Sequence, residues 1–477
     1  MDTIWPTEPL TGAGPKYKTV VGMIRTKISQ GELQPGAKLP PVRDLAWQLK
    51  ITPGTVARAY TVLTDSGVLK AEVGRGTFVA EVGSSLTQPP PDKPLNLIEI
   101  DVVEHNSSAA DSDHVNLFSP HLPIGGQAQL IHSVLHDIAQ DPPSGVMHYP
   151  SRKSATAARQ AMAGWLRDAP IGPFDESDIV LSHGGQNGIL LVFQTVLRGR
   201  RPIVFVEELA YPGFRRAAEL VRAEIVPIAM DADGIIPEAL AQAAVDHPEG
   251  QILCTSPEVH SPTCSFTPME RRLEIVIVAS KHDLQILEDD CYRMGRAEGE
   301  GYRSIAPERG WYITSLSKSL TPALRVGCAL GPRGTANALH RAAEHGFFGL
   351  ATPLIDLTAG LLSHPQLPQV MVNARRGVER YVKVAVNVLG AFDLRWRKDV
   401  PFVWLVLPSG WRATAFCQAA EKRGVQVRAA EEFASRDAQT PHAVRMAINA
   451  GVSLDSFEAA MHRLRDLLDH PPEEISV

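Results

Sequence analysis

Residues 314–327 read Thr-Ser-Leu-Ser-Lys-Ser-Leu-Thr-Pro-Ala-Leu-Arg-Val-Gly, and this segment sets the interpretation of the whole chain. It places one lysine, Lys318, between short hydroxyl side chains, with Arg325 seven residues further on. Ser315 and Ser317 can each donate a hydrogen bond to a phosphate oxygen, and the guanidinium group of Arg325 can bind the same phosphate through two parallel hydrogen bonds. A lysine beside such a site can form a Schiff base with an aldehyde. The pattern Ser-x-Ser-Lys alone is also typical of a polar loop with a solvated lysine. Other motifs have to decide between this interpretation and a Schiff-base lysine.

The complete spacing, ending in Arg325-Val-Gly327, resembles the lysine segment of fold-type I aminotransferases. These enzymes hold pyridoxal 5'-phosphate (PLP) as a Schiff base, and the resemblance assigns that attachment to Lys318. It assigns the phosphate group to Ser315, Ser317 and Arg325.

The composition is that of a large globular chain. Its 477 residues, 44% of them hydrophobic, can bury a large core and are expected to form two or three domains. The net charge of −6 argues against a protein that coats nucleic acid along its whole surface, although it leaves room for a small basic module. The five cysteines are scattered without a Cys-x-x-Cys motif, which favours neither a disulfide framework nor a zinc site. We find no signal-peptide pattern and no apolar run near the ~20 residues of a membrane span, and therefore expect a cytoplasmic protein.

The first 82 residues have the features of a separate, basic module. They carry ten Lys or Arg residues and seven Asp or Glu residues, so their charge is positive while that of the whole chain is negative. Apolar residues at helical spacing predict helices over Tyr17–Gln30, after Pro40-Pro41 and after the turn Ile51–Gly54. The alternating pattern from Val68 to Val79 predicts a β-hairpin. Three short helices and a hairpin indicate a winged helix-turn-helix with its third helix in the major groove of DNA, the alternative being a helical protein-interaction domain.

Three segments of this module, 31–46, 55–60 and 74–79, resemble the signature of GntR-type regulators. The resemblance places the family's DNA contacts at Arg43, Thr52, Thr55, Arg58, Gly74, Arg75 and Gly76. Pro53-Gly54 departs from the family, which often has Arg or a hydroxyl residue there, so fewer side chains are left to read bases. We therefore expect Arg43, Arg58 and Arg75 to bind mainly the phosphate backbone.

Residues 83–114 form a region rich in Gly, Ser and Pro that continues into polar residues, which predicts a linker. From residue 115 to 477, short apolar runs alternate with helical patterns, which predicts an α/β fold. Within it, Ser182–Gly188 is a glycine turn that opens a helix and can present free N–H groups to an anion. The segment resembles the family's phosphate-binding turn, although Gly185 stands where a serine is usual. The resemblance assigns phosphate binding to Gly184, Gly185 and Gln186.

Two further motifs resemble the part of the aminotransferase site that binds the pyridine ring. Tyr211 follows the predicted strand 203–206 and matches the tyrosine that stacks on the ring. Asp289 matches the carboxylate that keeps the ring nitrogen protonated, and Tyr292 matches the tyrosine beside the phenolic oxygen. Outside this context Tyr211 is typical of an ordinary core tyrosine. The acidic run 288–290 is also compatible with a divalent-metal site, but no histidine or carboxylate motif supports one.

The segment 256–264 departs from the family most clearly. Aminotransferases of this class have Asn-Pro-Thr-Gly, whereas this chain has Ser261-Pro-Thr-Cys264. Either Ser261 or His260 is expected to take the place of the asparagine that contacts the ring oxygen, and at this segment the resemblance does not imply efficient transamination.

A smaller domain is predicted near the C-terminus from strands at 403–407 and 444–448. Arg445 matches the arginine that pairs with the carboxylate of an amino-acid substrate, a role for which planar, bidentate geometry favours Arg over Lys. An arginine in a strand is otherwise usually part of a surface ion pair.

Both halves together resemble the MocR class of transcription factors. The expected architecture is α/β, with a GntR-type winged helix-turn-helix (1–82), a linker (83–114) and a fold-type I aminotransferase-like domain (115–477). The resemblance implies PLP as cofactor, a double-stranded DNA operator, a small amino-compound effector and a homodimer. We expect the effector to form an external aldimine, with its carboxylate on Arg445, and so to alter DNA binding. A working aminotransferase with a DNA-binding domain and a regulator with a cofactor-free body are the alternatives.

Overall fold

The computed structural model describes residues 5, 16–65, 68–72, 76–80, 114–140, 147–435 and 440–471. The chain divides into two compact units, residues 1–103 and 104–477. The predicted linker at 83–114 lies outside the described residues except for its last residue, His114.

The first unit packs short helices and a hairpin around one apolar core. Its described elements are α1 (Lys16–Ser29), α2 (Val42–Gln48), α3 (Pro53–Asp65), β1 (Leu69–Glu72) and β2 (Gly76–Val79). The two strands pair antiparallel, as the alternating pattern predicts. Each helix buries one stripe of apolar residues, and this shared burial is what stabilises helices too short to persist alone. The stripes include Val20, Ile24, Leu45, Leu49, Val56 and Leu63. The prediction of a winged helix-turn-helix is confirmed.

The second unit contains the remaining described elements. Its strands are β3 (Val115–Asn116), β4 (Val180–Ser182), β5 (Ile203–Glu207), β6 (Glu224–Ile228), β7 (Met230–Asp231), β8 (Gly234–Ile235), β9 (Gly250–Thr255), β10 (Gln285–Asp289), β11 (Gly310–Ser315), β12 (Gly327–Leu330), β13 (Leu394–Arg395), β14 (Phe402–Val406), β15 (Val425–Gln426), β16 (Arg428–Ala429) and β17 (Ala443–Ala447). Its helices are α4 (Gln127–Gln140), α5 (Thr156–Trp165), α6 (Gly184–Val196), α7 (Pro212–Leu220), α8 (Pro237–Asp246), α9 (Met269–Lys281), α10 (Tyr302–Ile305), α11 (Ala336–Phe347), α12 (Thr352–Ser363), α13 (Leu367–Leu389), α14 (Ala413–Lys422) and α15 (Leu454–Asp469).

A mixed sheet forms the centre of this unit, with the strand order β4-β12-β11-β10-β9-β5-β6 over the described residues. Strands β11, β10, β9, β5 and β6 run parallel, and β12 is antiparallel to both of its neighbours. Every residue of β5, β11 and β12 is buried, which explains why these strands appear in the sequence as continuous apolar runs. The carboxyl ends of the parallel strands meet at one edge, where ligands bind in sheets of this kind.

A smaller antiparallel sheet, β13-β14-β17-β16, lies in the C-terminal part of the chain. Alternation along β17 buries Val444 and Met446 in one apolar cluster, so Arg445 lies on the opposite face, paired in register with Trp404. The strands predicted at 203–206, 403–407 and 444–448 are confirmed to within one residue as β5, β14 and β17.

The described ranges contain no helix with both the length and the apolar composition needed to cross a membrane.

Candidate functional site

Lys318 lies in a turn that hydrogen bonds hold against the end of β11. The hydroxyl oxygen of Ser315 lies 3.0 Å from both the hydroxyl of Ser317 and the carbonyl oxygen of Val326. The backbone N–H of Ser317 donates to the Ser315 hydroxyl at 3.2 Å. These bonds fix the backbone of the turn, and they therefore also fix the position from which the half-buried side chain of Lys318 extends.

Arg325 meets the start of α6 at this edge of the sheet. It adopts a left-handed backbone conformation (φ 50°) at the end of a short 3-10 turn. A Cβ atom built on Gly184 (φ 74°) would lie 3.5 Å from the guanidinium carbon of Arg325, so the two residues are neighbours. Burial and the charge of Arg325 together lower the pKa of His183, the residue before this glycine. A helix start and a guanidinium group placed side by side favour an anion.

Gly185 lies against the side chain of Cys291. A Cβ atom on Gly185 would lie 2.6 Å from the Cys291 sulfur and 4.0 Å from the Cβ of Ser315. The first distance is shorter than real Cβ contacts allow, so the serine usual at this position fits only if Cys291 moves. Gly185 therefore leaves room for the Cys291 side chain, and the start of α6 lies next to Ser315.

The three acidic residues at the end of β10 have different partners. Glu288 accepts a hydrogen bond from the backbone N–H of Tyr302 at 2.7 Å. Asp290 pairs with Arg293 at 2.6 Å and accepts a hydrogen bond from the hydroxyl of Tyr312 at 2.7 Å. Because these two carboxylates are engaged by the protein, Asp289 is the member of the run best placed to serve a ligand.

Asp289 itself is buried and accepts a hydrogen bond from the backbone N–H of Cys291 at 3.0 Å. Burial raises the pKa of Asp289 to about 6, while the hydrogen bonds to Cys291 work against that rise. Among the described residues, no group of three or more His, Cys, Asp or Glu side chains is arranged to hold a metal ion.

Tyr292 lies close to two cationic side chains, Lys318 and Arg445. The Nζ atom of Lys318 is 5.7 Å from the centroid of its ring. Burial by itself raises the pKa of Tyr292, but the charges of Lys318 and Arg445, with a hydrogen bond from Arg445, outweigh it and lower the pKa. A phenol that is easier to ionise is a stronger partner for a cation or a donor at this place. Lys318, Tyr292 and Arg445, which are far apart in the sequence, are thus brought together.

Tyr211 stands immediately before α7, close to the same groups. Burial raises its pKa above the usual range, and Tyr292 and Asp289 add to that rise through their charges. The side-chain amide of Gln186 donates to the carbonyl oxygen of Gly213 at 2.9 Å, which joins the start of α6 to the start of α7. A Cβ atom on Gly213 would overlap the ring of Tyr211, so only glycine allows this approach.

The structure distinguishes between the two residues proposed to replace the family's asparagine. Both ring nitrogens of the buried His260 have partners, with Nδ1 2.7 Å from the hydroxyl of Thr263 and Nε2 2.9 Å from the carbonyl oxygen of Leu209. The hydroxyl of Ser261 accepts a hydrogen bond from Arg445 at 3.2 Å. These contacts favour Ser261 as the residue that faces the site, and they give His260 a structural role.

Arg445 is enclosed by aromatic rings. Its guanidinium carbon lies 5.2 Å from the ring centroid of Phe402 and 4.9 Å from that of Phe433. One terminal nitrogen donates to Ser261, and the other donates to the carbonyl oxygen of Phe118 at 2.9 Å. Its Nε atom is buried without a hydrogen-bond partner, and the described part of the chain supplies no carboxylate as an ion-pair partner. A buried cation without a counter-ion is costly, so the site favours an anionic ligand.

In the first unit, the candidate DNA contacts on the helices are accessible. Arg43 is exposed in the first turn of α2. The hydroxyls of Thr52 and Thr55 lie 2.9 Å apart at the start of α3. Arg58 is exposed on α3, and its guanidinium carbon lies 4.4 Å from the ring centroid of Tyr17, so stacking orients this side chain.

The hairpin gives one further candidate that sequence reasoning missed. Gly76 has a positive φ of 119°, and a Cβ atom there would lie 2.8 Å from the side chain of Lys38. Lys38 also forms a β-bridge with Phe78, which places a basic side chain against the hairpin. Its position after the turn Pro35-Gly36 was the available signal. Gly74 and Arg75 lie outside the described residues.

Comparisons with known proteins agree with this two-part architecture. Residues 113–464 match the family model "Aminotransferase class I and II", and residues 16–79 match "Bacterial regulatory proteins, gntR family". The uncharacterized HTH-type transcriptional regulator YdeF of Bacillus subtilis is 29% identical over 466 residues, covering 95% of each chain. The HTH-type pyridoxine biosynthesis transcriptional regulator PdxR of Corynebacterium glutamicum is 28% identical over 324 residues, covering 66% of each chain.

Among solved structures, an archaeal alanine:glyoxylate aminotransferase matches with a TM-score of 0.66 at 20% identity, covering 75% of this chain and 91% of that one. At this identity the match establishes the fold of the second unit. The chain therefore belongs to the aminotransferase class I and II family and carries an N-terminal GntR-type helix-turn-helix domain, the architecture of MocR-type regulators.

Proposed function

We propose that this protein is a transcriptional regulator that binds DNA through its first unit and senses a small amino compound at a PLP site in its second unit. The GntR-type domain supports the DNA-binding part, and similar proteins, one of them matched over 95% of this chain, are named as HTH-type transcriptional regulators. The aminotransferase fold supports the cofactor.

The residues of the second unit fit PLP. Gly184 at a helix start beside Arg325 provides donors and positive charge for a phosphate group, with the hydroxyls of Ser315 and Ser317 nearby. We assign cofactor binding to Lys318, Asp289, Tyr292, Tyr211, Gly184, Gly185, Gln186, Ser261, Ser315, Ser317 and Arg325. When bound, PLP supplies an aldehyde that condenses reversibly with a primary amine.

The electrostatics of Asp289 also fit this cofactor. Burial raises the pKa of its carboxyl group to about 6, so the carboxylate is less favourable here than in water. A protonated ring nitrogen placed beside it would favour the carboxylate and offset the cost of burying that charge.

The observation that carries the sensing proposal is Arg445. It is buried, it touches Ser261, and it is close enough to Tyr292 to lower that residue's pKa, yet the described residues give it no acidic partner. A carboxylate on the effector would provide the missing counter-ion, with geometry that suits a planar guanidinium group. The Nζ atom of Lys318 lies 5.7 Å from the Tyr292 ring centroid, and we propose that the amino group of the same effector is held beside it.

For the first unit, we propose DNA contacts at Arg43, Thr52, Thr55, Arg58, Gly74, Arg75 and Gly76. A homodimer would present two such units to paired half-sites of an operator.

The test measures DNA affinity of the full-length, cofactor-loaded protein, using fragments that it selects from a random-sequence pool. At least one amino compound in a panel of amino acids and amines should change that affinity about fivefold or more, the lower end of ordinary allosteric coupling. The response should be lost in Lys318→Ala and kept in Lys281→Ala, which alters an exposed lysine at the end of α9. A panel in which no amino compound changes the DNA affinity of the wild type contradicts the proposal.

A further inference from the structure

A second arginine, Arg428, lies directly beside Arg445. The two residues are opposite each other in the antiparallel pair β16–β17, so their side chains project from the same face of the sheet. Arg428 donates through Nε to the carbonyl oxygen of Phe118 at 3.1 Å, and Arg445 donates to that same oxygen at 2.9 Å. The two donor nitrogens are therefore no further apart than twice a hydrogen-bond length.

The charges around this pair are unbalanced. Glu432 forms an ion pair with Arg428 at 2.7 Å, and its side chain is 44% exposed. Arg445 has no acidic partner among the described residues, and its Nε atom is buried without a hydrogen bond. The pair of guanidinium groups thus has a single acidic partner, Glu432 on Arg428, although like charges directly opposite each other in a sheet repel.

This arrangement is poor as a purely structural device. The carbonyl oxygen of Phe118 needs only one donor, and Arg428 already stacks with its guanidinium carbon 5.0 Å from the Phe118 ring centroid. An uncharged side chain at position 428 would avoid the repulsion with Arg445. A second anion on the ligand would relieve it.

We infer that Arg428 and Arg445 together bind two acidic groups of one effector, and that the effector is an α-amino dicarboxylate of the size of aspartate or glutamate. This inference rests on the proposed function, which places the α-carboxylate on Arg445. The second carboxylate takes the place of Glu432 as the partner of Arg428. A short carbon chain between the two acidic groups matches the close spacing of the two guanidinium groups.

The test is calorimetric titration of the full-length, cofactor-loaded protein with L-glutamate and L-aspartate, compared with L-glutamine and L-asparagine. The amides match the acids in size and lack only the second charge. Wild type should bind the better acid about tenfold more tightly than its amide, as expected for a charge-assisted bidentate contact. Arg428→Gln should abolish this preference while leaving amide affinity within about twofold of wild type, because the α-carboxylate site remains.

Glu432→Gln tests the same point in the opposite direction. It removes the competing carboxylate and leaves the contacts of Arg428 with Phe118, so the affinity for the acids should rise while that for the amides stays the same. This variant decides the question if Arg428→Gln does not fold. Arg465→Gln is the matched control, since Arg465 forms a comparable pair with Asp469 at 3.4 Å on α15 and should change neither affinity.

The outcomes separate this inference from the proposed function. Equal binding of acids and amides by the wild type overturns the two-acid site and leaves the sensor proposal intact. An equal loss of all four ligands in Arg428→Gln, with unchanged acid affinity in Glu432→Gln, makes Arg428 structural and also overturns it. If the wild type binds none of the four ligands, the two-acid inference fails, while the sensor proposal is decided by the wider panel of amino acids and amines.

Discussion

Neighbouring carboxylates in this site take different roles because their partners differ. Asp290 is neutralised by Arg293 and hydrogen-bonded by Tyr312, so its charge is satisfied within the protein. Asp289, one residue earlier, has a backbone N–H as its partner, and burial raises its pKa to about 6. Such a carboxylate weakens the fold until a cation is placed beside it.

We predict that Asp289→Asn stabilises the cofactor-free protein at neutral pH and weakens its affinity for PLP. The folded-state pKa of about 6 lies above the ordinary value of 3.8, so the folded state holds this proton more tightly than the unfolded state. The contribution of Asp289 to stability therefore falls as the pH rises through that interval and is fully lost above it. At pH 7 the free energy of unfolding of Asp289→Asn should exceed that of wild type by on the order of 1–3 kcal/mol.

Urea unfolding of the cofactor-free proteins between pH 4 and pH 7 measures this difference, which should shrink toward pH 4. Asp290→Asn is the contrast, because it removes the partner of Arg293 and should destabilise at pH 7. A difference for Asp289→Asn that does not vary with pH, or unchanged PLP affinity, would contradict the assignment.

Local sequence motifs pointed to most of the residues proposed to bind the cofactor. The contacts that the motifs did not predict all join positions far apart in the sequence. Lys318, Asp289 and Arg325 stand in short segments whose spacing is visible along the chain. The contact between Gly185 and Cys291 joins positions more than a hundred residues apart, and only the sheet order brings them together. The sequence therefore shows only that Gly185 replaces the usual serine, whereas its close approach to Cys291 required the structure.

At the scale of elements, periodicity predicted the strands and helices because each buries a regular stripe or a continuous run. The register between elements was not predictable in the same way. Arg428 and Arg445 lie opposite each other only because β16 and β17 pair in one particular register. The register between two strands leaves no pattern within either segment of sequence. Lys38 follows the turn Pro35-Gly36, but only its contact with the distant hairpin strand, which the sequence does not show, makes it a candidate.

The DNA-binding elements carry a prediction about salt. Arg43, exposed on α2, and Arg75, predicted from the sequence in the hairpin turn, should bind phosphates rather than bases. Arg43→Ala and Arg75→Ala should each weaken binding to all DNA sequences about equally and reduce the slope of log affinity against log salt by roughly one.

Fluorescence titrations of selected and random DNA at several salt concentrations measure both quantities. Lys27→Ala is the control, because Lys27 is already paired with Glu32 at 2.6 Å on α1 and should leave the slope unchanged. A loss confined to the selected sequences, with an unaltered slope, would instead identify Arg43 or Arg75 as a base-reading residue.

At the scale of the whole molecule, the question is why a DNA-binding unit is joined to an aminotransferase fold. A ligand can regulate DNA binding only if it binds one conformation better than another. This requires a site that holds an amino compound, whereas rapid turnover is not needed. The positions that depart from the enzymes are Gly185, Ser261 and Cys264, and we propose that they lie around the cofactor. The charged groups proposed to hold an amino acid, Lys318 and Arg445, are present.

The final prediction therefore separates sensing from catalysis through Arg445→Ala. In wild type, the effector should change DNA affinity by a coupling free energy of ~1–3 kcal/mol. Arg445→Ala should keep PLP, because Arg325 and Asp289 are untouched, and should bind DNA as effector-free wild type does whether or not the effector is present.

DNA affinity and footprints are measured alongside keto-acid production over many turnovers. Steady transamination, together with identical DNA affinity and footprint in wild type under both conditions, would leave an enzyme with a DNA-binding domain. A colourless purified protein whose DNA affinity still responds to an amino compound would leave a cofactor-free regulator.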